Sequence, residues 1–455
     1  MMWNFKQYGD ATAAIEESGE HYTYSFFEKE GSQLADAIGG RKLVLCLCTN
    51  TIGSLLGYVT FLNYGIVPMM LNAEIDRDML SALIENYKPD YIWKPSKIAK
   101  FGYELEKTPY NCEFPLNEEL ALLLTTSGST GSPKFVRQSY KNIEANTKSI
   151  VEYLKLDSTE RPITTLPMSY TYGLSIINSH LWVGASVIFT DKGLLQKEFW
   201  QIFKTYGATS FGGVPYTYEM LDKLRLYRMD LPTLKTMTQA GGKLSPELHK
   251  KFAEYAEKTN RHFIVMYGQT EATARMAYLP PKKSLEKYGS MGIAIPGGEF
   301  SLIDGEGNPI TGFEIVGELV YKGDNVMLGY AEYGFDLAKS DECGGVLITG
   351  DMAKRDADGY YYIVGRKKRF LKIFGNRVNL DEAERLVKSK FDCECACAGI
   401  DDKMSVYVTN SEIINDVRKF VSEKTGIHSS AFDVKLIDSI PKNEAGKTLY
   451  TALEG

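Results

Sequence analysis

The chain has 455 residues, too many for one hydrophobic core, so two or three domains are expected. Hydrophobic residues make up 44% and charged residues 24%, an ordinary globular balance, and the net charge of −6 offers no global attraction to nucleic acid or anionic lipid. Seven cysteines over this length form no disulfide framework, and the odd count leaves one unpaired, so a reduced, cytoplasmic setting is expected.

The N-terminal stretch MMWNFKQYGDATAAIEE has neither a basic segment nor a continuous apolar one, so no signal peptide is expected. Residues 43–73 carry no charge, and a membrane span needs about 20 predominantly apolar residues. Here Asn50, Gly53, Gly57, Asn63, Gly65 and Pro68 interrupt the run. It reads instead as a buried strand over 43–48, a helix over 52–64 and a second strand over 66–71, with no stable membrane insertion. Further strands are expected over 120–125, 185–190 and 262–266, and helices over 79–86, 141–154, 198–206 and 246–258.

Such alternation argues for an α/β fold with largely parallel sheets flanked by helices. Region 292–330 is richer in glycine and short strands, with Asp304-Gly305-Glu306-Gly307-Asn308-Pro309 as a hairpin turn, and is expected to form a β-rich subdomain. A strand over 360–364 then runs into the polar junction Gly365-Arg366-Lys367-Lys368-Arg369. The domain boundary is placed there, giving a large domain over 1–366 and a small α+β domain over 367–455. Neither an internal repeat nor a low-complexity tract is visible.

Four segments carry chemistry. In the first, the apolar run 120–124 feeds Thr125-Thr126-Ser127-Gly128-Ser129-Thr130-Gly131-Ser132-Pro133-Lys134. Glycines let a backbone approach an anion, hydroxyls and N–H groups donate to it, and the lysine adds charge. Pro133 stands where a Walker loop needs its second glycine, so this is a different phosphate cradle. Taken alone, the composition also fits a solvated surface loop. In the second, Met266-Tyr267-Gly268-Gln269-Thr270-Glu271 ends an apolar run, where a tyrosine can stack on a base and a carboxylate can hold Mg²⁺. The third, Ile348-Thr349-Gly350-Asp351, ends a strand on an acid able to accept ribose hydroxyls. The fourth, Pro441-Lys442-Asn443-Glu444-Ala445-Gly446-Lys447, displays a lysine able to reach charge developing on a phosphate. Each of the last three, standing alone, fits a capped strand end or a solvated turn better.

Their order and spacing, with Ala240-Gly241-Gly242, Gly317-Glu318-Leu319, Gly365-Arg366 and Lys372, resemble one family over nearly the whole chain. That family is the adenylate-forming superfamily, which contains acyl- and aryl-CoA ligases, peptide-synthetase adenylation domains and firefly luciferase. The pattern is nearest to the acyl- and aryl-CoA ligases.

The resemblance implies ATP, Mg²⁺ and, as the favoured acceptor, CoA. It assigns Thr126, Ser127, Gly128, Ser129, Thr130, Gly131 and Lys134 to the β- and γ-phosphates. Gly241, Gly242, Tyr267, Gly268 and Gln269 would flank the adenine and the acyl pocket. Thr270 would meet the α-phosphate, Glu271 would bind the metal, and Asp351 and Arg366 would hold the ribose. Lys447 resembles the catalytic lysine of a mobile C-terminal lid, and Lys368 lies at that lid's hinge. Tyr170, Tyr172, Gly173 and Gly213 correspond to the substrate pocket, with Tyr170 shielding the carboxylate. No Asp stands between Leu166 and Ser179 to pair with an ammonium group, so an α-amino acid is disfavoured. Phe135 departs from the pattern, since relatives usually carry Gly after the loop lysine.

The expected reaction joins a small carboxylic acid to AMP with loss of pyrophosphate and then passes the acyl group to a thiol. A carrier-protein phosphopantetheine or an amine acceptor fits the same chemistry. A catalytically silent nucleotide- or acyl-binding protein is the contrasting class. Cys393, Cys395 and Cys397 alternate like a half-buried strand and lack the spacing of a metal site. The basic run 366–369 lacks a nucleic-acid-binding motif around it, and five scattered histidines suggest no base or ligand set.

Overall fold

The computed structural model describes residues 2–125, 134–374, 376–442 and 448–453, apart from the side chains of residues 368, 376, 377 and 451. The chain divides into two compact units. Among the described residues, the first comprises 2–125, 134–300 and 321–347, and the second 301–320 and everything from 348 onward.

The first unit is built on a seven-stranded sheet. Its order is Gly329–Ala331, Phe135–Ser139, Leu120–Thr125, Val67–Asn72, Leu43–Cys48, Tyr91–Pro95 and Tyr103–Lys107. Leu43–Cys48 runs parallel to Val67–Asn72 and Tyr91–Pro95, and Val67–Asn72 runs parallel to Leu120–Thr125. Leu43–Cys48 and the first five residues of Val67–Asn72 and of Leu120–Thr125 are apolar because both faces are covered. Val44, Cys46 and Cys48 join one core, while Leu43 and Leu45 join another, as the two-residue period of a strand demands. The outer strands turn antiparallel. The helix Ile52–Tyr64 lies in the uncharged stretch and is buried along most of its length. Among the described residues no helix is long and apolar enough to cross a membrane.

A second sheet places Ser210–Gly213, Thr236–Gln239 and His262–Tyr267 side by side and parallel, followed by the antiparallel pieces Ala277–Tyr278 and Ile293–Ala294. Gly213 pairs with Gln239 and Gln239 with Val265, so the first two strands end level and the third runs two residues further, to Tyr267. The strand expected over 185–190 is shorter, Val187–Phe189, and pairs with Thr12–Glu16.

The glycine-rich region 292–330 divides its strands among sheets. Gly298–Ile303 and Gly317–Gly323 enter a four-stranded sheet with Val346–Arg355 and Tyr361–Arg366, whereas Gly329–Ala331 edges the seven-stranded sheet. Asp304 does close the expected turn, its carboxylate accepting from the N–H groups of Glu306 and Asn308.

In the second unit, a three-stranded sheet (Cys395–Ile400, Lys403–Val408, Phe432–Leu436) carries the helices Leu380–Phe391 and Ile414–Thr425 on one face. The strand at Cys395 differs from expectation, for it is buried on both faces and not one. Cys395 and Cys397 pack under the helices, while Ala396 and Ala398 pack against Tyr407, Ile440 and Leu453. The small residues let the C-terminal strap lie close on the sheet. Among the described residues no group of three or more acidic, His or Cys side chains could hold a metal.

Candidate functional site

The clearest constellation lies where the parallel strands of the second sheet end, the usual place for ligands in open α/β sheets. His262–Tyr267 ends in a folded turn whose geometry Gly268 makes possible. A Cβ there would stand 1.6 Å from the Ala274 carbonyl oxygen, so only glycine lets the chain double back this tightly. Thr273 (φ 52°) and Ala274 (φ 94°) both take positive φ within that turn, a strained conformation for side-chain-bearing residues.

The strain is held from outside, carbonyl by carbonyl. Gln138 Nε2 donates to the Thr270 oxygen at 3.0 Å, and the Met327 N–H donates to that of Glu271 at 2.9 Å. Asn325 Nδ2 donates to Ala272 at 2.8 Å and to Arg275 at 3.1 Å, and Asn146 Nδ2 donates to Arg275 at 2.7 Å. Thr273 returns a bond to the Asn325 carbonyl at 2.7 Å. Thr270 and Glu271, both half-buried, are thus presented on a braced loop.

Glu271 meets Lys134 through a residue that the sequence did not single out. The Tyr330 hydroxyl donates to Glu271 Oε1 at 2.8 Å, and Lys134 Nζ sits 3.5 Å from the centre of the same ring. Burial, and then the neighbouring carboxylate charge, pushes the Tyr330 hydroxyl well above the ordinary tyrosine range, so it stays a donor. Strand pairing places it there, since Tyr330 lies opposite Val136, two residues beyond Lys134. Arg137, fully buried, donates to the carbonyls of Leu328, Tyr330 and Lys339 and to the Glu342 carboxylate, which fixes that segment. Phe135 pairs with Thr125 across the base of the loop and turns its ring into the core against Tyr87, 5.1 Å away. It therefore anchors the loop's exit and leaves the polar face to Lys134.

Along the same edge, Gln239 is wholly buried and donates to the carbonyls of Ala240 and Gly242, at 3.2 and 2.9 Å. Gly241 takes φ +83°, and a Cβ on it would stand 2.6 Å from the Tyr170 hydroxyl, so Tyr170 closes over this backbone. Burial raises the Tyr170 hydroxyl to about 12. Gly242 sits against Pro215, and Gly213 against Thr217 and Tyr218. Tyr172 is buried inside the unit, its hydroxyl 2.8 Å from that of Thr238. Gly173 lets its helix press onto the Pro167 carbonyl. Gln269 donates to the Tyr267 hydroxyl at 3.2 Å, which steadies that ring.

Within the second unit, Asp351 and Arg366 lie opposite one another on antiparallel strands. Arg366 Nε is 3.5 Å from Asp351 Oδ1, with the aspartate buried and the arginine largely exposed. Lys367 donates to the buried Glu318 at 2.7 Å. Asn379 donates to the Val364 carbonyl and covers Gly365, where a Cβ would meet its amide at 2.7 Å. Thr126, Ser127, Gly128, Ser129, Thr130, Gly131 and Lys447 lie outside the described residues, as does the side chain of Lys368.

The sequence reading missed Tyr330, Gln138, Asn146, Gln239 and Asn325. An aromatic in a short strand looks like core. The available signal was Asn142 and Asn146, which repeat at helical spacing in the buried stripe with Ile143 and Ile150.

Fold and site together describe a nucleotide-handling α/β enzyme. The family model for AMP-binding enzymes matches residues 2–331, and the chain belongs to that family. The "4-coumarate--CoA ligase-like 2" of Arabidopsis thaliana is 28% identical over 354 residues, 74% of this chain and 61% of that one. The "Peroxisomal OPC-8:0-CoA ligase 1" of the same plant is 29% identical over 347 residues, 73% of this chain and 63% of that one. The chain thus spans about three fifths of the length of these relatives. The O-succinylbenzoate coenzyme A synthetase MenE of Bacillus subtilis, solved with ATP and magnesium ion, superposes with a TM-score of 0.81 at 20% identity, covering 99% of both chains. ATP-bound MatB from Rhodopseudomonas palustris gives 0.78 at 20% identity, covering 99% of this chain and 97% of that one. The fold is the one these enzymes share.

Proposed function

We propose that this chain uses ATP to convert a carboxylic acid to an acyl-adenylate, releasing pyrophosphate, and then transfers the acyl group to a thiol, with CoA as the acceptor. The observation that carries this reading is the braced turn that offers Glu271 beside Lys134 and Tyr330. Family membership and the CoA ligases among the relatives support it.

The residues present suit Mg²⁺. Glu271 is a hard oxygen donor with one carboxylate oxygen turned to Tyr330, and no cluster of further ligands surrounds it among the described residues. Mg²⁺ favours such sites, taking one or two carboxylates plus phosphate oxygens and waters. Bound there, it offsets negative charge on the phosphates.

The reaction brings an anionic carboxylate to an anionic α-phosphate, so positive charge and pre-aimed donors decide its rate. Lys134 supplies charge at the phosphate end. The Thr270 hydroxyl, on the same braced turn, is assigned to the α-phosphate. Tyr170, raised by burial, stays a neutral hydroxyl over Gly241 and excludes water from the acid. On the resemblance alone, Asp351 and Arg366 are assigned to the ribose and Lys447 to the charge that grows as pyrophosphate leaves.

A panel of carboxylic acids in ATP–pyrophosphate exchange, followed by addition of CoA or a phosphopantetheinylated carrier protein, tests the reading. Exchange with at least one acid and CoA-dependent release of AMP are expected. Failure of every acid in a protein that binds ATP overturns it in favour of a silent binder, and exchange without CoA consumption moves the acceptor to a carrier or an amine. Lys447→Ala is expected to lose exchange yet still consume supplied acyl-adenylate.

A further inference from the structure

The turn that presents Thr270 and Glu271 is gripped at its two ends by amide side chains from a different part of the chain. Gln138, on the strand Phe135–Ser139, holds the Thr270 carbonyl, and Asn146, on the helix Tyr140–Leu154, holds that of Arg275. A carbonyl oxygen only accepts, so the nitrogen of each amide must face the turn. That fixes the orientation of both side chains and turns both amide oxygens the other way.

Gln138 is 1% exposed and Asn146 2%, and neither Gln138 Oε1 nor Asn146 Oδ1 has a hydrogen-bond partner among the described residues. Both residues line the same small cavity, together with Thr147, Thr171, Ser175 and Thr273. It offers about 10 Å³ to the centre of a water-sized sphere, which is the room of a single water. Two buried acceptors on residues lining one cavity of that size, whose remaining walls include Leu122, Leu124, Ile143 and Leu174, match the two hydrogens of one water molecule. Leaving both acceptors dry would cost each its full desolvation penalty, which native interiors rarely tolerate.

We propose that one buried water bridges Gln138 Oε1 and Asn146 Oδ1, and that the three together form a positioning device for the turn bearing Thr270 and Glu271. Through the water, the grip on the start of the turn and the grip on its end act as one unit. A shift of either amide is passed to the other and so to the carboxylate. The functional part of the proposal rests on the adenylation reading, but the water itself does not.

Two measurements separate those claims. A crystal structure of the full chain at a resolution that orders waters is expected to show one, within hydrogen-bond distance of both amide oxygens. Absence of that density overturns the proposal, whatever the enzyme does. The second measurement uses Gln138→Met and Asn146→Leu, which keep approximate volume but remove the amides. Each is expected to lower kcat for exchange about tenfold and to raise the Mg²⁺ concentration for half-maximal rate, the scale seen for outer-sphere partners of metal ligands. If the water couples them, the double variant falls little further than the worse single. Multiplied effects, near a hundredfold, overturn the device. So does an unchanged Mg²⁺ dependence alongside a lowered melting temperature, since that marks a role in packing alone.

Discussion

At the residue scale, the most informative side chain is Tyr330. It donates to the carboxylate of Glu271 and offers its ring face to Lys134, so it sets the rotamers of both charged groups. Glu271→Gln keeps an amide oxygen that still accepts from Tyr330, leaving the turn intact while removing the charge proposed to hold Mg²⁺. Exchange is expected to drop at least about 100-fold, since losing a residue that merely supports a metal ligand already costs about 10–100-fold. Tyr330→Phe keeps the ring under Lys134 and removes only the donor. Since a hydrogen bond to a charged group contributes roughly 1.5–3 kcal/mol when intact, the half-saturating Mg²⁺ concentration is expected to rise about tenfold or more. Titrations of exchange rate against Mg²⁺ check both, and a Tyr330→Phe curve that overlays the wild type rules out the orienting role. Glu271 and Lys134 stood out in the sequence by position, Glu271 just beyond an apolar run and Lys134 closing a loop of glycines and hydroxyl residues. Tyr330 did not, since the contact that gives it a role comes from pairing with a strand about 190 residues away.

At the scale of elements, apolar runs such as 43–48, 120–125 and 262–266 gave strands because each is too short for a helix and, bounded by polar or turn residues, suits a sheet covered on both faces. What a run cannot carry is the direction of its partner. The loop 126–134 joins the antiparallel strands Leu120–Thr125 and Phe135–Ser139, a hairpin inside an otherwise parallel centre, and no periodicity reports that. The second face of the strand at Cys395 was hidden for a similar reason, because its cover, Ile440 and Leu453, comes from the far end of the chain. Tight turns test the same logic by mutation. At Gly268 an added methyl meets backbone, which cannot swing aside, whereas at Gly289 (φ +85°) the space is open. Gly289→Ala is expected to lower stability by about 1–2 kcal/mol through its left-handed conformation and to leave exchange near normal. Gly268→Ala adds overpacking of about 1–3 kcal/mol and must move the turn, so exchange should collapse as well. Thermal melting with exchange assays on both variants decides the matter; a fully active Gly268→Ala protein would show that the turn's position is not what presents Glu271.

For the whole molecule, the two units complicate any single stability, because a chain with separate cores need not unfold in one step. The tryptophans resolve this. Trp3, Trp93, Trp182 and Trp200 are the only four in the chain, and all belong to the first unit, so intrinsic fluorescence follows that unit alone. The same unit contains His180 and His249, which the sequence left as scattered histidines without a role. Both are buried neutral. His180 Nδ1 donates to the Ile176 carbonyl, leaving Nε2 without a partner among the described residues, while His249 Nδ1 accepts from the Gly289 N–H and Nε2 faces the Ser284 hydroxyl. Burial lowers each from 6.5 to about 4. The unfolded chain therefore binds protons that the folded unit refuses. Their contribution is complete above about pH 6.5 and is withdrawn as pH falls toward 4, with each histidine costing about 2 kcal/mol of stability by pH 5. The urea midpoint followed by fluorescence is expected to fall between pH 7 and pH 5, before most carboxylates begin to titrate. His180→Gln and His249→Gln, which cannot take up a proton, should flatten that fall one step each. A wild-type midpoint that holds constant over this interval would mean that neither imidazole is held neutral in the core.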